Sequence, residues 1–259
     1  MTIRIHPTAL VDAAARLAAD VEVGPFTIIG PHVEIGAGCV IGPHSVITGH
    51  THIGVNNRIF QFVSLGEAPQ DKKYNGEPTR LEIGDNNTIR EFCTLNCGTA
   101  QDAGVTRVGN DNWIMAYVHI AHDCQVGNHA IFANNAQLAG HVHIGDYAIL
   151  GGYTGVHQFC RVGAHVITGI GTHVLKDVPP FVTASGSPAK PYGINSEGLK
   201  RRGYSAESLA GLKRAYKTIF RSGDTVEQAL AELAQQVNEC PDIQPLMNFL
   251  AVPGRGIIR

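Results

Sequence analysis

An aliphatic residue returns at every sixth position from Ile5 to Leu65: Ile5, Val11, Leu17, Val23, Ile29, Ile35, Ile41, Ile47, Ile53, Ile59, Leu65. The phase resumes at Ile83, Ile89 and Leu95. A second series runs through Val108, Ile114, Ile120, Val126, Phe132, Leu138, Ile144, Leu150, Val156 and Val162 to Val174, with Thr168 as its one polar member. A period of six fits neither an amphipathic helix nor an alternating strand. It fits a parallel β-helix, in which each short strand turns one side chain inward and the chain rounds a corner every six residues. Three hexads make one triangular coil, so residues 18 apart stack on one vertical strip. Such coils wind left-handed, against the usual right-handed crossover. The expected fold class is therefore mainly β: a left-handed parallel β-helix.

The position after each inward residue is usually glycine, as at Gly24, Gly30, Gly36, Gly54, Gly84, Gly109, Gly127, Gly145 and Gly163. The pairs Asn56-Asn57, Asn86-Asn87, Asp111-Asn112 and Asn134-Asn135 follow, residue types that tolerate left-handed turns. Two polar, turn-rich segments break the register, 66–82 (GEAPQDKKYNGEPTRLE) and 96–107 (NCGTAQDAGVTR). Long insertions in a regular solenoid gather on the functional face. After Pro179-Pro180 the hexads end. Ser205 and Glu207 open an amphipathic helix that stops at Gly223, and Thr225 with Gln228 forms a capping box for a second, which stops before Pro241. The predicted division is a β-helix over 1–190 and a helical domain over 191–259.

Composition narrows the picture modestly. A formal charge of -2 over 259 residues gives no global case for a nucleic-acid partner. The opening residues lack a secretory apolar core, and no apolar run is long enough to span a bilayer. The six cysteines show no framework spacing and no CxxC pair. Reduced thiols in a cytoplasmic protein are the expectation.

The coil arithmetic sorts the thirteen histidines. Stepping 18 residues from His122 reaches Gly140, beside His141, and a further 18 reaches Gln158, beside His157. His119 lies on the strand leading to His122. One corner strip therefore carries imidazoles suited to general-base work, with Asp123 placed to orient His122. Histidines at exposed corners are common in such solenoids, and His6, His32, His44, His50, His52, His129, His165 and His173 are read that way. A zinc reading rests on His119-x-x-His122 with Cys124. Zinc carbonic anhydrases share the fold but place two histidines five residues apart, a spacing this chain lacks. The expectation is no metal, with Cys124 packed inside the coil.

The blocks GEPTR (76–80), HIAHDC (119–124), NNAQLAGHV (134–142), VHQFC (156–160) and EGLKRRG (197–203) resemble the UDP-N-acetylglucosamine O-acyltransferases of lipid A synthesis. The resemblance covers essentially the whole chain. It implies transfer of a 3-hydroxyacyl chain from acyl carrier protein to the sugar 3-hydroxyl, the first step of that pathway, with no cofactor beyond the carrier's phosphopantetheine. It implies His122 as base with Asp123 beside it, and the Gly140 N–H as oxyanion donor. His119, His141, His157 and Gln158 match substrate-positioning residues. Asp71 and Lys73 match positions holding the sugar and its donor, and Asn195, Glu197, Arg201 and Arg202 match the nucleotide end. The family is a homotrimer with its site between neighbouring solenoids. A basic set (Arg161, Lys200, Arg201, Arg202, Lys213, Arg214, Lys217, Arg221) suits an acidic carrier protein, though a solvated helix face accounts for Lys213 and Lys217.

The chain departs from the family at two places. Where members usually read His-Arg-Gly-Thr it has Asn96-Cys97-Gly98-Thr99, and some relatives acylate a 3-amino sugar, so ester and amide products both stay open. Where long-chain members carry glycine at the acyl groove floor it has Ile170, which implies a donor of about ten carbons because buried volume is not freely compressible. Two further readings remain on the same fold: a zinc hydratase and a non-catalytic scaffold.

Overall fold

The computed structural model describes residues 3–259. Short parallel strands repeat every six residues and stack into three sheets of 11, 9 and 8 strands, the faces of a triangular prism. Stacked pairs lie 18 apart outside the insertions, as in Glu22 opposite Val40 and Gln125 opposite His143. Past them the step widens to 30 (Arg58 to Thr88) and 25 (Thr88 to Trp113). The inward positions form one continuous core from Val23 to Val174. Thr168, its polar member, is buried yet satisfied: its hydroxyl accepts the Gly151 N–H at 2.9 Å and pairs with the Thr154 hydroxyl at 2.8 Å. A buried hydroxyl without such partners would be costly. The first coil departs from the pattern, because Ile5 is exposed and Val11 and Leu17 are half-buried. Among the described residues no coil lies beneath them to complete their burial.

The corners also correct the sequence reading. Asn56, Asn86, Asp111 and Asn135 do take positive φ, but so do Phe26, His44, Phe62, Phe92 and Tyr117 on one strip. Left-handed backbone costs a non-glycine residue roughly 1–2 kcal/mol. Here the rings stack on one another at 4.8–5.2 Å, which offsets that cost. The second residue of three pairs serves differently. Asn57, Asn87 and Asn112 are buried and form a ladder, each side-chain oxygen accepting the backbone N–H of the residue above.

Beyond the last coil, Val182–Ser185 joins the first sheet and Lys190–Ile194 folds back antiparallel to it. Helices α1 (Ser196–Arg201), α2 (Ala206–Arg221), α3 (Val226–Gln236) and α4 (Gln244–Ala251) follow. Ser205 caps α2, and the Thr225–Gln228 capping box opens α3 as its sequence predicts. The helices carry a second apolar cluster around Leu212, Ile219, Leu233 and Ile243. Among the described residues no helix is long and apolar enough to cross a membrane.

Candidate active site

The prism has three corners: the first joins the first and second sheets, the second joins the second and third, and the third joins the third and first. Residues 121–124 round the second corner, between His119–Ile120 and Gln125–Val126. Both insertions leave from this same corner. Residues 68–79 run from Ser64–Glu67 to Arg80–Ile83, and 97–104 from Thr94–Asn96 to Val105–Val108. The two breaks in the repeat therefore flank the histidine strip.

His122 Nδ1 lies 2.9 Å from Asp123 Oδ2. Asp123 is buried, with a positive φ that turns its carboxylate back towards the ring. Thr99 holds it from the second insertion, through its N–H to Oδ1 at 2.9 Å and its hydroxyl to Oδ2 at 2.7 Å. Burial alone would raise the Asp123 carboxyl, but the hydrogen bonds from His122 and Thr99 outweigh it and hold it below the usual carboxylate range. An ionised carboxylate only accepts, so His122 donates through Nδ1 and leaves Nε2 with a free lone pair. The ring rests on Gly140: a methyl there would stand 2.5 Å from His122 Cε1 and 2.7 Å from Nε2. The amides on either side of Gly140 are engaged, Ala139 N–H with Val156 O and His141 N–H with His122 O. The Gly140 N–H has no backbone acceptor among the described residues.

His141 stands edge-on to His122, with ring centroids 5.0 Å apart. His119 is tied to the Thr94 hydroxyl at 2.7 Å; burial pushes its imidazole down, the Thr94 contact opposes this, and the nearby His122 adds to the lowering. His119 and His157 line a groove of about 420 Å³ on the second sheet, with Leu138, Gly155, His173 and Leu175. Gln158 is exposed next to His157. Asp71 and Lys73 lie on the first insertion, where Asp71 Oδ1 accepts the Lys73 N–H at 3.0 Å.

The remaining site residues stand elsewhere. Asn195 caps α1 and donates to His165 O at 3.0 Å, and Arg202 lies 4.8 Å over the Tyr147 ring. His165 and Tyr147 belong to the third corner, so Asn195, Glu197, Arg201 and Arg202 are at the opposite edge of the third sheet from His122. Ile170 is 78% exposed on the first corner, at the far edge of the second sheet. Within one chain it lines no buried floor.

Two sequence expectations change, those for His165 and Arg161, while Cys124 packs inside the coil as its hexad position predicts. His165 is no plain exposed corner: Phe181 and Tyr204 pack on its ring, its Nδ1 is buried and unpaired, and burial, then Arg202, pushes its imidazole down to about 4. Arg161 is not free to dock a partner, since it grips buried Asp177 through Nε at 2.9 Å and Nη2 at 2.7 Å. The zinc set does not converge: the Cys124 thiol is buried in the coil and donates to Ala139 O. The ligand atoms of His122, Asp123 and His141 do lie within 4.8 Å of one another. Two residues were given no role by the sequence reading, Thr99 and Asp102, both on the second insertion. Their signal was the position of that loop, which is legible only once its corner is known.

Comparison with known proteins decides the family. The profile described as UDP-N-acetylglucosamine O-acyltransferase, domain 2, matches residues 177–258, and the bacterial transferase hexapeptide profile matches 14–49 and 106–140. The acyl-[acyl-carrier-protein]–UDP-N-acetylglucosamine O-acyltransferase of Thiobacillus denitrificans is 68% identical over 98% of this chain and 99% of its own. The chain belongs to the UDP-N-acetylglucosamine O-acyltransferase family. The bearer of the same name in Herminiimonas arsenicoxydans is 60% identical over 98% and 99% of the two chains. The LpxA structure from Acinetobacter baumannii is 51% identical with a TM-score of 0.97, covering 98% of this chain and 99% of that one. The UDP-N-acetylglucosamine acyltransferase of Arabidopsis is 34% identical with a TM-score of 0.84, covering 98% and 100%. Likeness to family members thus extends over both the prism and the helical tail.

Proposed function

We propose that the protein transfers a 3-hydroxyacyl chain from acyl carrier protein to the 3-hydroxyl of UDP-N-acetylglucosamine, the first step of lipid A biosynthesis. The observation that carries the mechanism is the buried Thr99–Asp123–His122 chain standing over the Gly140 amide. His122 Nε2 takes the proton of the sugar hydroxyl as its oxygen attacks the thioester carbonyl. The tetrahedral oxyanion accepts the Gly140 N–H. Collapse expels the pantetheine thiol, which leaves with the proton returned by His122. No covalent enzyme intermediate is needed, and the Cys124 thiol, two residues from the base, is buried with its proton held by a carbonyl and its pKa raised to about 12 by burial. No cofactor of the enzyme's own enters this balance.

A homotrimer completes the site. The base and the nucleotide-end residues occupy opposite edges of the third sheet, so one chain cannot bring them together. A closed three-fold arrangement with that sheet turned inward sets the second corner of one chain against the third corner of the next. The sheet's outward face suits this use. It carries a polar ladder including Arg16–Glu34 and Glu82–Arg107, over a cleft of about 760 Å³. Lys213, Arg214, Lys217 and Arg221 remain exposed on α2 for an acidic carrier protein. The reading places enzyme and carrier together in the cytoplasm.

The test is a transfer assay with carrier thioesters of graded length against the 3-hydroxy and 3-amino sugar nucleotides. The expected result is ester formation without added metal. Dominant amide formation overturns the acceptor assignment, and activity that vanishes on zinc removal favours the hydratase-like site. Ile170→Gly is expected to shift the preferred donor to longer chains. An unchanged preference contradicts Ile170 as the end stop.

A further inference from the structure

The second insertion delivers two side chains to the His122 site. Thr99 reaches Asp123, and Asp102 reaches His141: its Oδ2 lies 2.7 Å from His141 Nδ1. A carboxylate only accepts, so Nδ1 carries the hydrogen and Nε2 is the nitrogen left facing the site. That Nε2 stands 3.8 Å from Asp123 Oδ2. The plane of the His141 ring is set by its neighbours, since Phe159 stacks on it at 4.4 Å and His122 meets it edge-on. Those contacts do not choose between the two ring flips, which exchange Nδ1 with Cδ2 and Nε2 with Cε1. Asp102 makes that choice.

We propose that Asp102 is a positioning residue, fixing the flip and tautomer of His141 so that Nε2 faces the acceptor sugar beside His122. The inference rests on the acyl-transfer reading above. Two carboxylates thereby organise two adjacent imidazoles from opposite sides, Asp123 from the corner itself and Asp102 from the inserted loop. The side chain of Asp102 is 49% exposed, on a cavity of about 300 Å³ shared with His143, Arg161 and Arg255. Among the described residues its only other side-chain bond is to the adjacent Ala103 N–H. Solvent screens such a pair, so its effect is moderate in size and falls on orientation.

The experiment compares wild type, Asp102→Ala and Asp102→Glu by ¹⁵N-histidine NMR, with His141 assigned through His141→Gln, alongside steady-state transfer kinetics. Wild type is expected to show His141 in the Nδ1–H form, and Asp102→Ala to lose that preference. The same variant is expected to raise KM for UDP-N-acetylglucosamine about fivefold, with kcat within about twofold and Tm unchanged. Asp102→Glu is expected to recover part of both effects. Identical His141 spectra in wild type and Asp102→Ala, or an unchanged KM, overturn the proposal. A wild type that acylates neither sugar strikes the acyl-transfer reading instead, and the spectra still decide whether Asp102 sets His141.

Discussion

Replacing His122 with alanine is expected to lower kcat/KM for transfer about a thousandfold, within the range that a positioned general base contributes. The sugar hydroxyl is a poor nucleophile without a base, and no second imidazole can stand in. His119 is held by Thr94 and its charged form is disfavoured by burial. His141 is turned by Asp102. The substitution leaves the coil intact, because His122 is at a corner and the inward positions Ile120 and Cys124 on either side are untouched. The assay uses purified protein with acyl carrier protein thioester, and Tm and oligomeric state serve as controls. A variant that retains more than about a tenth of wild-type kcat/KM removes His122 from the base role.

Gly140→Ala is expected to cost about a hundredfold in kcat/KM, although it adds a single methyl group. Gly140 does not have a positive φ, so alanine fits the backbone there. The obstacle is the ring: the new methyl group would meet His122 Cε1 at 2.5 Å and Nε2 at 2.7 Å. The imidazole must move by about an ångström, and a misplacement of that size can cost about 10² in rate. The same shift breaks the alignment of base and oxyanion donor, which depend on one coil stacking on the next. Folding is expected to survive, since an imidazole at a half-buried corner can yield. Full activity in Gly140→Ala contradicts the placement of His122 over this amide.

The six-residue period made the prism, its three sheets and the inward core legible before any coordinates, because a strand with one inward side chain has a single physical solution. The phase of that period also put His122, Gly140 and His141 on one strip. Other features depend on what the repeat leaves free. Nothing in the spacing says that Phe62 or Tyr117 takes left-handed backbone, since the stacking that stabilises it involves partners a full coil or more away. Thr99 and Asp102 come from a loop with no period, so their reach to Asp123 and His141 is set by tertiary packing. Arg161 reads as a free cation until Asp177, 16 positions on, is seen to hold it. The nucleotide-end residues read as one set in sequence, yet they lie across the third sheet from the base. In the proposed trimer their meeting is a property of the assembly, which a single chain's pattern does not encode.

That separation yields the most direct test, subunit complementation between two single variants. His122→Ala removes the base and keeps the third corner. Arg201→Ala removes an exposed guanidinium of the nucleotide end and keeps the base. Co-expressed and purified as mixed trimers, the two should form intact sites wherever a base-bearing chain meets an Arg201-bearing neighbour. With random assortment, roughly a quarter of the sites are restored, so activity at low UDP-N-acetylglucosamine should rise well above either variant alone. Activity no greater than the average of the two separate variants would contradict a site shared between chains.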